Sequence, residues 1–368
     1  MNKSETGLRT LGYVKELLGY YTSIDFEKIS KPKIQSDTLL NYGIALYLTG
    51  EYDQALAKYE QSLEIAEKLG GQSGIAGTLH QIAMIHQDKG EYDQALAKYE
   101  KSLEIKEKLG NQRGIAGTLH NMAAIHHVKG EYQQALEKYK KSMEIKEKLG
   151  DQRGIAGTLH NMAAIHHDKG EYQQALEKYQ RSMEIEEKLG DQRGIAITLH
   201  QIAMIHQDKG EYQQALEKYQ KSMVIKEKLG DQNGIAITLH QIAMIHHYKG
   251  EYEQALEKYQ KSMVIKEKLG DQNGIAITLH QIALIHQVKG EYQQALEKYQ
   301  KSMEIGEKLG DQSGIAYTAA QISLLYSKIG KKEKAIEYTQ KALGIFENIG
   351  LENEAIRARA QLEAILES

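Results

Sequence analysis

Residues 114–153 read GIAGTLHNMAAIHHVKGEYQQALEKYKKSMEIKEKLGDQR, and nearly the same letters return from residues 154, 194, 234 and 274. A slightly earlier copy begins at Gly74, so the period is forty residues. A fixed period in this range is typical of stacked repeat proteins, in which each repeat contacts only its neighbours. The sequence therefore predicts one quasi-linear domain rather than the two or three globular domains that 368 residues would otherwise indicate.

The composition is that of a folded chain, with 41% hydrophobic and 26% charged residues. A formal net charge of −3 offers no overall attraction for nucleic acid or anionic membranes, so we expect neither as a partner. There is no cysteine, which excludes disulfides and thiolate chemistry. The first residues, MNKSETGLRT, lack an apolar signal sequence, and no apolar run approaches the ~20 residues of a membrane span. We therefore expect a cytoplasmic protein.

Each copy has the pattern of two helices. In the copy from Gly74, apolar and small residues recur on one face of a first helix and then of a second, at Ile75, Leu79, Ile82, Ala83 and His86, and at Tyr92, Ala95, Leu96, Tyr99, Ser102, Leu103 and Leu109. Glycines 90 and 110 are predicted to end these helices, because glycine accepts the left-handed conformation after a helix. Asn111, or aspartate at 151, 191, 231, 271 and 311, is predicted to cap the next first helix.

The two ends of the chain differ from the repeats. Residues 1–34 carry a helical apolar spacing from Glu5 to Tyr21 and the only proline, Pro32, which is expected to stop any helix that reaches it. We predict a capping helix there; the alternative is a detachable segment that folds into the groove or pairs with another copy. Eight repeats then span 35–73, 74–113, 114–153, 154–193, 194–233, 234–273, 274–313 and 314–350. Residues 351–368 are predicted to form a C-terminal capping helix.

The small-residue pattern resembles the tetratricopeptide repeat, whose signature is W-x2-L-G-x2-Y…A-x3-F…P. It runs here as Leu79-x2-Ile82-Ala83-x2-His86 and Gly90-x-Tyr92-x2-Ala95-x3-Tyr99-x2-Ser102. The final proline is missing, and the period is forty rather than about 34 residues, as in the subgroup of kinesin light chain and the Pins/LGN adaptors. The resemblance implies an all-α, right-handed superhelical solenoid whose first helices line a concave groove for extended peptides. It implies no cofactor and no catalytic activity.

Differences between the copies collect at four positions of this expected groove, 77, 81, 84 and 88, and the last of these is aspartate, valine or tyrosine. We number repeat positions by the copy from Gly74. Position 77 is glycine in three copies and then isoleucine, position 81 alternates between glutamine and asparagine, and position 84 is methionine, alanine or leucine. The resemblance implies that Asn41, Asn121 and Asn161 clamp a peptide backbone. The isoleucines and methionines are predicted to receive apolar anchors of the ligand, although packing against the neighbouring first helix explains them too.

All fifteen histidines lie on first helices. Those at position 80 are expected to face the groove and to make ligand affinity sensitive to pH, because histidine titrates near pH 6.5. Those at position 86 occupy an aromatic packing site of the family. Neighbouring histidines are too widely spaced to predict a metal site. The candidate groove residues are Asn41, His80, Gln81, His120, Asn121, His127, His160, Asn161, His167, Ile197, His200, Gln201, Met204, Ile237, His240, Gln241, Met244, Ile277, His280 and Gln281.

No phosphate-binding loop, dinucleotide fingerprint or isolated carboxylate pair occurs, so the sequence does not predict an enzyme. We predict a scaffold or adaptor that binds an extended or helical segment of a protein or peptide partner. The alternatives are a self-associating structural scaffold, and a regulatory subunit whose activity lies in another chain. Replacing Asn121 and Asn161 together by alanine is expected to leave folding intact and to weaken ligand binding at least tenfold.

Overall fold

The structure is a computed structural model that describes residues 3–367, with side chains from residue 12 onward. Within that range it has eighteen α-helices, one short 3-10 helix at Phe26–Lys28 and no strand. The all-α fold class is therefore confirmed. The helices are α1 Lys3–Thr22, α2 Pro32–Leu48, α3 Tyr52–Lys68, α4 Gln72–Asp88, α5 Tyr92–Lys108, α6 Gln112–Val128, α7 Tyr132–Lys148, α8 Gln152–Asp168, α9 Tyr172–Leu189, α10 Gln192–Asp208, α11 Tyr212–Leu229, α12 Gln232–Tyr248, α13 Tyr252–Leu269, α14 Gln272–Val288, α15 Tyr292–Leu309, α16 Gln312–Lys328, α17 Lys332–Asn348 and α18 Glu352–Glu367.

Glycine ends the helices with a regular spacing of twenty residues. Every glycine of the series from Gly50 to Gly350 has φ between 65° and 83°, a conformation that side chains with a Cβ rarely adopt. Gly90 and Gly110 belong to this series, so the predicted helix ends are confirmed. After each of these glycines the next helix begins two residues later, and this spacing recurs along the described chain.

The predicted side-chain caps of the first helices are also confirmed. Asn111 Oδ1 accepts a hydrogen bond from the Gly114 backbone N–H at 3.0 Å, and Asp151 Oδ1 accepts one from Gly154 N–H at 3.0 Å. Four further aspartates repeat this cap at distances of 2.8–3.1 Å, namely Asp191, Asp231, Asp271 and Asp311. A cap of this kind satisfies a backbone donor that the helix itself cannot, which stabilises it by about 1 kcal/mol.

The core of each repeat consists of small residues that surround one tyrosine. Ala83, Ala95 and Tyr99 are fully buried, and Tyr99 packs between its own repeat and residues Met122 and Ile125 of the next one. The alanines permit the close helix approach that the sequence predicts, because a larger side chain would keep the backbones apart. In the first repeat the position of Ala83 is taken by Gly43. A Cβ there would lie 2.4 Å from the ring of the buried Tyr59, so this repeat has room for glycine only.

Helices pack in consecutive pairs within each of two compact units. The first unit comprises Met1–Lys209, and α1 packs there on the first repeat through Leu18 and Tyr21, with Val14 of the same helix buried as well. The part of the predicted apolar spacing that precedes residue 12 lies outside the residues whose side chains are described. Pro32 begins α2, because proline lacks only an N–H that is unpaired in the first turn anyway, and α1 ends at Thr22 without reaching it.

The second unit comprises Gly210–Ser368 and closes with α18. This last helix packs on α17 through Ala355, Ala358 and Ile365, each of which is no more than 5% exposed. Its other faces are rich in charge, which suits the side of a helix that meets water. No helix within residues 3–367 combines the length and apolar character needed to cross a membrane.

Candidate functional site

The candidate site is the first-helix face, which we define within each unit by positions 77, 80, 81, 84 and 88 of the first helices. These positions lie on one side of the helix, three to four residues apart, away from the fully buried positions 79, 82 and 83. The face is described separately for α2 to α10 in the first unit and for α12 to α16 in the second.

The histidines at position 80 are held between neighbouring repeats. His80 Nδ1 lies 3.2 Å from Thr118 Oγ1 of the next repeat, and the His80 ring packs edge-on against Tyr99 at a centroid distance of 5.1 Å. His120, His160, His240 and His280 make the same two kinds of contact with the threonine and tyrosine at the equivalent positions. His200 is buried as well. The five side chains that make these two contacts therefore stabilise the stacking of repeats, in addition to bordering the face.

This burial changes the acid–base behaviour that we expected. Burial, reinforced by a nearby lysine, lowers the pKa of His80 and His120 to about 4. The same two causes lower the pKa of His240 to about 4, and burial alone does so for His280. The expectation that these histidines titrate near pH 6.5 is therefore wrong, because their charged forms lose hydration. At neutral pH the imidazoles are uncharged hydrogen-bonding groups.

The lysine beneath this face is the group that sequence reasoning missed. Lys106, on the second helix, is 7% exposed and donates from Nζ to Thr118 Oγ1 at 2.8 Å. The Thr118 hydroxyl donates to the Gly114 carbonyl at 2.9 Å, so its remaining lone pair accepts from His80 Nδ1–H. His80 Nε2 is thereby left as an acceptor. Variation at position 106 was the available signal, because lysine, glutamate, alanine, glycine and phenylalanine all occur there.

The predicted asparagine clamps are engaged within the protein. Asn121 Nδ2 donates to the Tyr99 hydroxyl at 3.1 Å and faces His80 Nε2 at 3.5 Å. Asn161 Nδ2 lies 3.2 Å from His120 Nε2. Both amide groups therefore bridge two repeats, whereas Asn41 is exposed. The glutamines at this position, Gln81, Gln201, Gln241 and Gln281, are half-buried.

The apolar residues of the face fall into two kinds. Ile197, Ile237 and Ile277 are 41%, 42% and 47% exposed, and their side chains project from the first helices into solvent. By contrast, Met204 and Met244 are half-buried, and Met244 packs on the core around Tyr259. The alternative that position 84 serves packing is thus supported for Met244, while the three isoleucines at position 77 are exposed.

Two of the three histidines at position 87, His127 and His167, pair with acidic residues of the following repeat. His127 Nε2 lies 2.6 Å from Asp168 Oδ2, and His167 Nε2 lies 2.7 Å from Asp208 Oδ2. In the first repeat the Tyr47 hydroxyl replaces the histidine and donates to Asp88 at 2.6 Å. Part of the variation at position 88, a predicted groove position, therefore reflects pairing between successive first helices. Among the described residues, no three histidine, aspartate or glutamate side chains are arranged to hold a metal ion.

The histidines at position 86 have a packing role, as predicted. His86, His126, His166 and His206 are buried. The Nδ1 atoms of His86 and His126 lie 2.5 Å from Glu91 and Glu131, which immediately precede the second helices. Each of these two contacts connects the end of a first helix to the start of its partner.

Comparison with known proteins gives consistent results. The sequence profile of the tetratricopeptide repeat matches residues 35–108, 74–148, 114–188, 154–228, 194–268 and 274–348. No curated protein sequence matches the chain. Among solved structures, the apo quorum sensor NprR from B. thuringiensis is similar, with 16% identity over 90% of this chain and 92% of that one and a TM-score of 0.67.

Two other structures illustrate the range of similarity. Aspartyl phosphate phosphatase F from Bacillus subtilis is 16% identical over 90% of this chain and 87% of its own, with a TM-score of 0.63. A putative kinesin light chain from Podosopora anserina with nearly identical TPR-like repeats is 19% identical over 54% of this chain and 98% of its own, with a TM-score of 0.47. The repeated profile matches, the helix pairs and the alanine–tyrosine core together show that the chain belongs to the tetratricopeptide repeat family, whose members are scaffolds for protein–protein interaction.

Proposed function

We propose that the first-helix face binds an extended segment of a partner protein, and that this is how the scaffold acts. The proposal rests on the residues found at position 77. At Gly77, Gly117 and Gly157 an added Cβ would meet no atom within 4 Å, so the fold does not require glycine there. The later copies place isoleucine at the same position and leave it more than 40% exposed.

Neither residue is the choice that folding stability favours. Glycine inside a helix costs roughly 0.5–1 kcal/mol relative to alanine, and an exposed isoleucine adds apolar surface without burying it. A ligand provides the missing reason: glycine allows a close approach of its backbone, and isoleucine contacts its apolar side chains. The change from glycine to isoleucine along the chain then determines which part of the ligand binds to which repeats.

Polar groups on the same face suit the backbone of an extended segment, which has unpaired N–H and C=O groups. The half-buried glutamines at position 81 offer both a donor and an acceptor. Asn121 and Asn161 use their amide N–H groups within the protein, so their carbonyl oxygens are the atoms that accept from a ligand N–H. We therefore propose a one-sided contact for these two residues in place of the two-sided clamp that the resemblance implies.

The test compares two apolar pairs of similar exposure in the second unit. Ile237 and Ile277 lie on the first-helix face, whereas Val224 and Val264 are each 39% exposed on the second helices. A peptide selected from a random display library on the intact protein is titrated against Ile237→Ala/Ile277→Ala and against the control Val224→Ala/Val264→Ala. We expect the isoleucine variant to bind at least tenfold more weakly and the valine variant to bind as the wild type does.

Equal binding by both variants and the wild type would refute the proposal. Loss in the valine variant alone would assign binding to the second helices instead. Sedimentation of the same three proteins tests the self-associating alternative: a concentration-dependent mass that only Ile237→Ala/Ile277→Ala abolishes would mean that a second copy occupies the face. The asparagines are tested by Asn121→Gln/Asn161→Gln, since other repeats contain glutamine there and alanine would also remove the bonds between repeats.

A further inference from the structure

The residue at position 106 fills the space between one second helix and the first helix of the next repeat. It differs between copies, as Ala66, Lys106, Lys146, Glu186, Lys226, Lys266, Gly306 and Phe346. All four lysines are buried, at 6–8% exposure. In the last of them, Lys266 Nζ donates to Thr278 Oγ1 at 3.0 Å and to the Gly274 carbonyl at 3.2 Å. The space is therefore shaped and polarised for an aminoalkyl chain.

In the next repeat the same space contains no side chain, because position 106 is Gly306. A pocket of about 250 Å³ lies there, and its lining includes Gly306, Gly314, Thr318 and Asp311. Ile277 and Tyr317, which are 47% and 44% exposed, also line it, so the pocket opens on the first-helix face. This volume is below the roughly 300–1,000 Å³ of sites for whole small molecules, and it suits a group the size of one side chain.

We propose that this pocket binds the aminoalkyl group of a ligand, which occupies the place of the lysine side chain that Gly306 lacks. Thr318 Oγ1 and the Gly314 carbonyl correspond to the two acceptors of Lys266 Nζ. The Asp311 carboxylate caps α16 through Gly314 N–H at 2.9 Å and adds a negative charge at the pocket wall. An ammonium group thus meets acceptors and an anion, and the methylene groups meet Ile277 and Tyr317.

The glycine itself is not explained by backbone conformation. Gly306 lies inside α15 and is not among the glycines with positive φ, so its backbone is one that any residue adopts. A Cβ there would lie 3.2 Å from Ile315 Cγ1, which requires a shift of a few tenths of an ångström. The preceding repeat accommodates a whole lysine at the same place beside the equivalent Ile275. Glycine in this helix costs stability and opens the pocket.

The aminoalkyl group has two possible sources. One is a lysine side chain in the extended segment that the first-helix face is proposed to bind, and that version rests on the proposed function. The other is a free alkylamine, which needs no protein partner. The experiment therefore includes both kinds of ligand, so that failure of peptide binding and failure of the pocket are distinguishable.

The test titrates the intact protein by NMR and calorimetry with n-butylammonium, which has the atoms of the missing lysine side chain. Butan-1-ol and butyrate have the same chain without the positive charge. The peptide source is tested with a lysine-containing tripeptide that is blocked at both ends, and with the same tripeptide in which norleucine replaces lysine. We expect n-butylammonium or the lysine tripeptide to bind at one site with a Kd of about 1–10 mM. We expect butan-1-ol and norleucine to bind at least tenfold more weakly.

Two variants locate the site. Gly306→Lys refills the pocket with the residue of the preceding repeat and is expected to abolish amine binding. Lys266→Gly is expected to create a second, equivalent site and to double the stoichiometry. If Lys266→Gly fails to fold, Gly306→Lys alone decides the result. Unchanged binding in Gly306→Lys, equal binding of butan-1-ol, or no binding of either amine ligand would overturn the proposal. Binding of the tripeptide alone assigns the pocket to a peptide lysine, and binding of n-butylammonium supports it even if no peptide partner exists.

Discussion

Replacing the buried Lys106 by methionine is expected to stabilise the protein. Its Nζ has Thr118 Oγ1 as a hydrogen-bond partner at 2.8 Å, and no carboxylate pairs with it among the described residues. Burial lowers the pKa of Lys106 from 10.5 to about 8. Lysine is therefore still mostly charged at pH 7, in a place where the charge has lost much of its hydration.

The size of the effect follows from the shift in pKa. One pKa unit corresponds to about 1.4 kcal/mol, so the shift for Lys106 corresponds to a penalty on the order of 3 kcal/mol at neutral pH. Methionine has a similar length and fills the same space without a charge. It also removes the bond to Thr118, which keeps its own bond to the Gly114 carbonyl. We expect a net gain of about 1–3 kcal/mol in the free energy of unfolding.

The assay is urea unfolding at pH 7 and at pH 10, followed by circular dichroism. Because the folded-state pKa lies below the unfolded value, the unfolded chain holds the proton longer, and the wild type gains stability as pH rises from about 8 to 10.5. The contribution of this residue to that gain should vanish in Lys106→Met. Long repeat arrays do not always unfold in two states, so hydrogen exchange in α5 and α6 at pH 7 provides a local measurement.

Lys146→Met is the matched control, because the Asp151 carboxylate partly restores the pKa of Lys146 whereas Lys106 has Asn111 at the equivalent place. Its gain should be smaller. Asn111→Asp should stabilise the wild type, and by less once Lys106 is methionine. The reasoning is refuted if Lys106→Met lowers stability at pH 7, or if Lys146→Met stabilises the chain more than Lys106→Met does.

Two further predictions concern acid and glycine. Four buried histidines have a pKa of about 4 in the folded protein, namely His80, His120, His240 and His280. As pH falls from about 6.5 to 4, they are protonated in the unfolded chain before they are protonated in the folded one, so the free energy of unfolding should drop by about 1–2 kcal/mol per histidine by pH 5. Urea midpoints measured from pH 7 to 4 check this, and a His240→Gln/His280→Gln variant should show a shallower fall; an unchanged slope would contradict it. Gly74→Ala should stabilise by about 0.5–1 kcal/mol, because its Cβ would only touch Ala66 at 3.6 Å. Gly154→Ala should destabilise, because its Cβ would meet Asp151 Oδ2; thermal unfolding that ranks the two variants in the opposite order would show that the cap can move aside.

Much of the fold was predictable because its signals are local. Gly90 and Gly110 end helices through their own backbone conformation, and Asn111 caps a helix three residues away. Ala83 and Tyr99 identified the packing positions, since small and aromatic residues recur there in nearly every copy. The role of Pro32 at the start of α2 was not predicted, because proline both stops and starts helices and only its position in the turn distinguishes the two.

The site was only partly predictable. The position-77 isoleucines were predicted not to be needed for packing and are exposed, but nothing in the residue letters indicated that Asn121 bonds to Tyr99 and faces His80. Likewise Lys106 stands in a run of lysines and glutamates typical of a solvated helix face. It is buried because the first helix of the next repeat covers it.

The sequence by itself determined the repeat length, the helix pairs, their ends and caps, and the family. These depend on periodicity and on contacts between residues a few positions apart, which the order of residues displays directly. Only the tertiary structure decided which polar groups are buried and paired, from His80 with Thr118 to the space that Gly306 leaves open. Those contacts join residues in successive repeats, and stacking brings them together regardless of their distance along the chain.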